Sequence, residues 1–215
     1  VDGNIGIGTT SPSMQDGNNN PVVHLFAQSS PVEFRAQRGD GADAFFTARS
    51  QELSIGTNTN HRVEFRTSDT ERFRIDQHGT SKFKGPLTEK CNRDTGAGLT
   101  GDYNHDLITY GNVHWATSNS SGTWTYNLRG SATVALNDMM NDGETLSFQL
   151  ISAQNSTSNY MTAFKIDGSS SHLVWWQGGS APSAGGGSGY DVYTFTVFKI
   201  GNASFRTFAS LSNHA

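Results

Sequence analysis

The stretch Tyr190-Asp191-Val192-Tyr193-Thr194-Phe195-Thr196-Val197-Phe198-Lys199-Ile200, then Gly201-Asn202, then Ala203-Ser204-Phe205-Arg206-Thr207-Phe208-Ala209-Ser210-Leu211 reads as a β-hairpin. Both arms are rich in β-branched and aromatic residues, and Gly201-Asn202 suits the positive φ of a tight turn. The pattern extends backwards. In Thr145 to Ser152, Leu146, Phe148 and Leu150 share one face, with Ser147 and Gln149 opposite. Tyr160 to Asp167 turns Phe164 and Ile166 inward, and Asp167-Gly168 with Ser169, Ser170 and Ser171 supplies a turn before the strand His172 to Trp176. A Gly/Ser/Pro loop runs from Gly178 to Gly189. Earlier strands are expected at Val113 to Ala116, Thr123 to Leu128 and Ala132 to Leu136, with a helical turn confined to Ala135 to Met140. Seven or eight short strands with frequent turns predict an antiparallel β-sandwich or jelly-roll-like domain.

Composition agrees with an all-β class. Of 215 residues, 34% are hydrophobic, 16% are charged and 24 are Gly, which leaves too few strong helix formers for a helical bundle. A net charge of -4 provides no basic footprint for nucleic acid or for an anionic membrane surface. No apolar run reaches the length of a membrane span, and residues 1 to 20 lack the basic and apolar regions of a signal peptide. One cysteine, Cys91, excludes an internal disulfide framework and a multi-cysteine metal site. The start at Val1 suggests a fragment or a processed product.

The chain changes character near residue 90. Residues 1–90 hold 11 acidic and 10 basic side chains, and residues 91–215 hold 8 and 5. A boundary or linker is expected around Gly85-Pro86 and the polar stretch Thr88 to Gly101. Before it, Val32-Glu33-Phe34-Arg35 recurs as Val63-Glu64-Phe65-Arg66, Ile7-Gly8-Thr9-Thr10 has an echo in Ile55-Gly56-Thr57-Asn58, and Arg72-Phe73-Arg74-Ile75-Asp76 is a related strand. Apolar and ionised side chains alternate in the charged strands, so Val32 and Phe34, Val63 and Phe65, and Phe73 and Ile75 each share one face. Gly39-Asp40-Gly41 and Gly79 read as turns. Ordering the backbone costs on the order of 1–2 kcal/mol per residue, more than one copy of so few apolar side chains offsets. Residues 1–90 are therefore expected to fold as a homotrimeric, shaft-like segment, with apolar faces meeting on an axis and charged rims pairing between chains.

The opening Gly3-Asn4-Ile5-Gly6-Ile7-Gly8-Thr9-Thr10-Ser11-Pro12 and the stretch Glu71-Arg72-Phe73-Arg74-Ile75-Asp76 with Gly79 resemble segments that recur in bacteriophage tail fibres. Ala135 to Asp142, Trp176-Gln177-Gly178-Gly179-Ser180-Ala181-Pro182-Ser183-Ala184-Gly185 and Asp191-Val192-Tyr193-Thr194-Phe195 resemble a domain of cyanophage structural and tail-fibre proteins. The resemblance implies an extracellular virion protein, a homotrimer associated with other tail proteins and attached to bacterial surface polysaccharide or lipopolysaccharide. It brings no catalytic residues. The alternative is a trimerisation or docking module that binds no receptor.

The chemical constellations are weak. Asp102-Tyr103-Asn104-His105-Asp106 has the opening spacing of a calcium loop, but Leu107 and Val113 stand where Gly and Glu are needed, so it reads as a polar surface loop. Gly3, Gly6 and Gly8 precede no helix or Lys-Ser/Thr pair, which leaves phosphate binding unsupported. Seven scattered histidines form no metal or triad spacing, and the acids of residues 91–215 sit in turn-like contexts. No catalytic residue, metal site or cofactor is predicted, and a long parallel β-helix of a polysaccharide-degrading tailspike needs more chain and a regular repeat. The aromatics say more. Adjacent Trp175 and Trp176 must point to opposite faces of a strand; Val174 places Trp176 in the core and Trp175 outside. An outward Trp packs on a neighbouring subunit or offers a sugar-stacking platform. The candidate glycan-contacting residues are Trp175, Trp115, His172, Tyr190 and Asp191.

Overall fold

The repeated Val-Glu-Phe-Arg tetrapeptide marks a repeated structure. The computed structural model describes residues 5–7 and 23–215, and the chain divides into two units, Val1–Leu87 and Thr88–Ala215. In the first, β1 (Ile5–Ile7) pairs in parallel with β2 (Val23–Leu25); Gly3, Gly8 and the rest of the fibre-like opening lie outside the described residues. One tetrapeptide opens the antiparallel meander β3 (Val32–Gln37), β4 (Asp43–Ala48) and β5 (Leu53–Thr57). The other opens a second meander, β6 (Val63–Thr67), β7 (Thr70–Ile75) and β8 (Ser81–Phe83).

The period of two sorts each meander into unlike faces. Cross-strand rows Val32–Ala48–Leu53 and Phe34–Phe46–Ile55 line one face of the first. Row Phe65–Phe73–Phe83 crosses the second, with ring centroids 5.5 and 4.7 Å apart. These faces stand open: Phe34 is 64% exposed, and Phe46, Leu53, Ile55, Phe65 and Phe83 are exposed as well. The polar face of the first meander is closed on itself. Arg35 forks onto Asp43, with Nε 2.6 Å from Oδ1, Thr47 donates to Glu33 at 2.9 Å, and the Phe45 ring covers Gly56, where a Cβ would meet it at 3.2 Å. Glu64 pairs with Arg62 and Arg66, Glu71 with Arg74, and Asp76 with Lys82. These charges of the rims thus have partners within one chain.

The second unit comprises β9 (Cys91–Asp94), β10 (Gly101–Asp106), α1 (Leu107–Tyr110), β11 (Val113–Ala116), β12 (Trp124–Arg129), α2 (Leu136–Met139), β13 (Thr145–Ala153), β14 (Met161–Ile166), β15 (Leu173–Trp176), β16 (Tyr190–Gly201) and β17 (Ser204–His214). A small sheet has the order β10-β12-β14 and a large one β15-β17-β16-β13-β11-β9. The expected antiparallel arrangement is corrected here. β9, β11 and β13 run parallel, as do β10, β12 and β14, and β15 with β17; the antiparallel pairs are β13 with β16 and β16 with β17. From β9 to β14 the chain changes sheet at every strand, so strands that return to the same sheet return in the same direction.

Local chemistry explains the other departures. Ala132 to Leu136 is no strand: the Ser131 hydroxyl accepts from the backbone N–H of Thr133 (3.2 Å) and Val134 (3.0 Å), a local turn that competes with pairing. The hairpin turn falls at Asn202-Ala203, one residue later than expected, with Ala203 at φ 49° after a bulge between Lys199 and Gly201. The polar stretch Thr88 to Gly101 is more than a linker, since it holds β9 and the buried Leu99. Asp102 to Asp106 is a strand rather than a surface loop.

Between the two sheets lies one core. Trp124, Tyr126 and Leu128 of β12 and Met161, Phe164 and Ile166 of β14 meet Phe148, Leu150, Tyr193, Phe195 and Val197 of the large sheet. Phe164 stacks on Phe195 at 4.1 Å between centroids, and Trp124 meets Tyr193 edge-on at 5.5 Å, contacts worth about 0.5–1.5 kcal/mol each beyond area burial. A bulge opposite Trp124–Thr125 inserts Thr162, letting Met161 turn inward although it breaks the alternation of Phe164 and Ile166.

Candidate functional site

The outer face of the large sheet collects three of the five candidate residues, Trp175, Trp115 and Tyr190. In β15, Val174 and Trp176 pack against the core while Leu173 and Trp175 point out, the orientation expected from the sequence. Parallel register sets Leu173 beside Arg206 and Trp175 beside Phe208. The Trp175 ring, with its residue 39% exposed, lies 4.9 Å from Phe208; Phe208 meets Phe198 edge-on at 5.8 Å, and the Arg206 guanidinium sits over Trp175 at 5.5 Å. Phe208 itself is 51% exposed. The result is an aromatic ledge capped by a cation.

Trp115 and Tyr190 form a second aromatic pair, half-buried, with centroids 6.4 Å apart and Arg93 5.4 Å over the indole. Trp115 lies on β11 and Trp175 on β15, four strands across the sheet, or about 19 Å at a normal strand spacing. Thr196 and Ser147 continue the Trp175–Phe208 row, and Thr194 and Ser210 form the next row towards Trp115. Each ledge thus sets an arginine over a tryptophan, and the row of Trp115 continues through Ile151 and Val192.

His172 and Asp191 belong elsewhere. His172 packs edge-on against Phe164 at 5.9 Å, and neither of its ring nitrogens has a hydrogen-bond partner of normal geometry. Burial lowers its pKa, opposed by the Ser169 backbone, so the ring is neutral at pH 7. Its edge borders a depression of about 440 Å³ that is also lined by Ser169, Ser171, Leu173, Phe205 and Arg206. Asp191 is corrected from ligand contact to loop anchor: it is fully buried and accepts from the Gly186 backbone (2.9 Å) and from Asn213 Nδ2 (2.6 Å). A Cβ on Gly185 or Gly186 would approach its carboxylate to 2.8 or 2.7 Å, so the glycines let the 178–189 loop close over it. Burial raises its pKa.

Two histidines without a sequence pattern meet in the core. His105 and His114 are fully buried, with rings 5.4 Å apart. His114 Nδ1 lies 2.7 Å from the Tyr126 hydroxyl and Nε2 3.5 Å from Asp94, while His105 Nε2 bonds the Gly111 carbonyl at 2.8 Å. Burial, reinforced by His105, holds His114 at about 4 against the opposing pull of Asp94. The Asp–His–Tyr chain is enclosed at its tyrosine end, where His114 and Tyr126 are fully buried. On the opposite, small sheet, Asp102, Asn104 and Asp106 face outward and bond Thr125, Asn127 and Arg129 in turn, which is why the apparent calcium spacing is a strand ladder. Among the described residues, no three His, Cys, Asp or Glu side chains are placed to hold a metal ion, and no helix is long and apolar enough to cross a membrane.

Sequence reasoning missed Phe208 and Arg206. The signal was present: Phe205 and Phe208 are three apart in one strand, so one of them has to leave the core. No protein-family model, curated protein or solved structure matches the chain.

Proposed function

We propose that the chain is an attachment protein of a bacteriophage tail fibre, working on the virion outside the cell as a homotrimer and binding bacterial surface polysaccharide or lipopolysaccharide without covalent chemistry. The Trp175–Phe208 ledge under Arg206 carries this reading. Exposed aromatic rings accept the C–H face of a sugar, and the neighbouring hydroxyls of Thr194, Thr196 and Ser210 suit its hydroxyls. Weak single contacts suffice when three copies in each fibre and many fibres on each particle engage together. The open apolar faces of both meanders support association: a second and a third copy give Phe34, Phe46, Ile55, Phe65 and Phe83 the cover that one chain withholds.

The test is retention of the purified chain on host cells, with and without competing host polysaccharide. Binding that soluble polysaccharide abolishes, and that Trp175→Ala removes while the trimer persists, is the expected result. Loss of the trimer in Trp175→Ala instead favours the docking reading, which the half-buried Trp115–Tyr190 pair supports. Light scattering at about three times 23.2 kDa is expected; a stable monomer overturns the shaft.

A further inference from the structure

We propose that the saccharide taken by this face is acidic: a negatively charged oxygen group, a uronate carboxylate or a phosphate ester, docks on Arg206 while an adjoining sugar ring lies on Trp175. The proposal deepens the carbohydrate reading and rests on it. Arg206 forms no ion pair and no side-chain hydrogen bond among the described residues, and its recorded contact is the Trp175 ring at 5.5 Å. Three other cations of the same unit are occupied. Arg129 binds Asp106 at 2.6 Å, Lys165 reaches Asp102 at 3.2 Å, and Lys199 is buried against the Met140 carbonyl at 2.7 Å.

The one carboxylate lining the depression beside Arg206, Asp167, is engaged, accepting from the backbone N–H of Leu136 (2.7 Å) and Asn137 (3.0 Å) at the start of α2. Facing the depression are the free guanidinium and the Ser169 and Ser171 hydroxyls, 2.7 Å apart. A neutral sugar hydroxyl both donates and accepts, whereas a carboxylate or phosphate only accepts, and a guanidinium fork matches either in two parallel bonds. A free guanidinium, which only donates, next to a stacking ring thus favours an anionic sugar. Arg93 over Trp115 repeats the pairing at the far side of the sheet.

The test uses the full chain on an array of bacterial polysaccharides that are neutral, uronate-bearing or phosphate-bearing, each charged sample paired with its carboxyl-reduced or dephosphorylated form. Retention of charged samples is expected, with about a ten- to hundredfold loss on neutralising the sugar. Arg206→Gln should cost the same factor on the charged form and nothing on the neutralised one, with an unchanged melting temperature. Which neutralisation costs affinity tells carboxylate from phosphate. Equal affinity for charged and neutralised forms, or an equal loss on both in Arg206→Gln, overturns the acidic assignment and leaves the carbohydrate reading standing. Retention of no saccharide at all overturns that reading, and this one with it.

Discussion

The two units spend similar strand chemistry in opposite ways. In the first, charges pair within the chain while Phe34, Phe46, Phe65 and Phe83 stand open; in the second, Trp124, Tyr126, Phe148, Phe164 and Phe195 disappear between two sheets, and the exposed surface keeps two arginines on tryptophan rings. A three-stranded meander has nothing of its own to lay against its apolar face, whereas a chain that winds between two sheets supplies each face with the other. The comparison separates a unit whose apolar faces stand open from one that folds around its own core.

The largest effect belongs to that core. Phe195→Ala removes a ring stacked on Phe164 and is expected to cost about 3–5 kcal/mol in chemical denaturation. A loss below 1 kcal/mol, on the order of a surface substitution, breaks the contrast. Acid is next. His114, held at about 4, is neutral when folded and takes a proton when unfolded below its ordinary 6.5, so its stabilisation is complete above pH 6.5 and falls as the pH drops towards 4, by about 3 kcal/mol at most. His105, lowered by burial, acts in the same direction. In the first unit, Asp76 is held at about 2 by Lys82 and by the backbone of Thr80 and His78, Arg35 lowers Asp43, and Arg66 and Arg49 lower Glu64 and Glu52, so stability there is lost as the pH falls through the ordinary carboxylate range and below it. Two-probe acid titration should see the second unit loosen first, and His114→Gln should flatten its profile; the reverse order contradicts the contrast.

Phe46→Ser tests the open face. It should leave the C-terminal unit's melting unchanged and shift the assembly towards monomer at least about tenfold, an effect of roughly 1.4 kcal/mol per interface, read by sedimentation velocity. An unaltered mass distribution sinks the role of that face. Turn chemistry gives the smallest effect. Asp69 at φ 59° and Ala203 at φ 49° both occupy the left-handed region, and Asp69→Gly and Ala203→Gly are each expected to stabilise by about 0.5 kcal/mol. Similar gains in both units would show that local turns are indifferent to where the core lies.

Much of the pattern was legible. Alternation put Trp176 inside and Trp175 outside, marked Phe164 and Ile166 as core, and exposed the repeat that each meander begins with. Asp191 was not legible, because only the closing of the 178–189 loop decides that its carboxylate meets Gly186 and Asn213 rather than solvent. The meeting of His105 with His114 depends likewise on β10 and β11 lying in facing sheets.

By itself the sequence determined an all-β chain, a repetitive and apolar-poor first part, and the inward or outward sense of most strand residues. These follow from the period-two geometry of a strand and from side-chain chemistry, both local. The tertiary structure alone decided which strands pair, that most pairs in the second unit are parallel, and that Arg206, Phe208 and Trp175 form one surface. A strand's alternation is the same whichever neighbour it takes; the choice is made by the packing of two whole sheets around a common core.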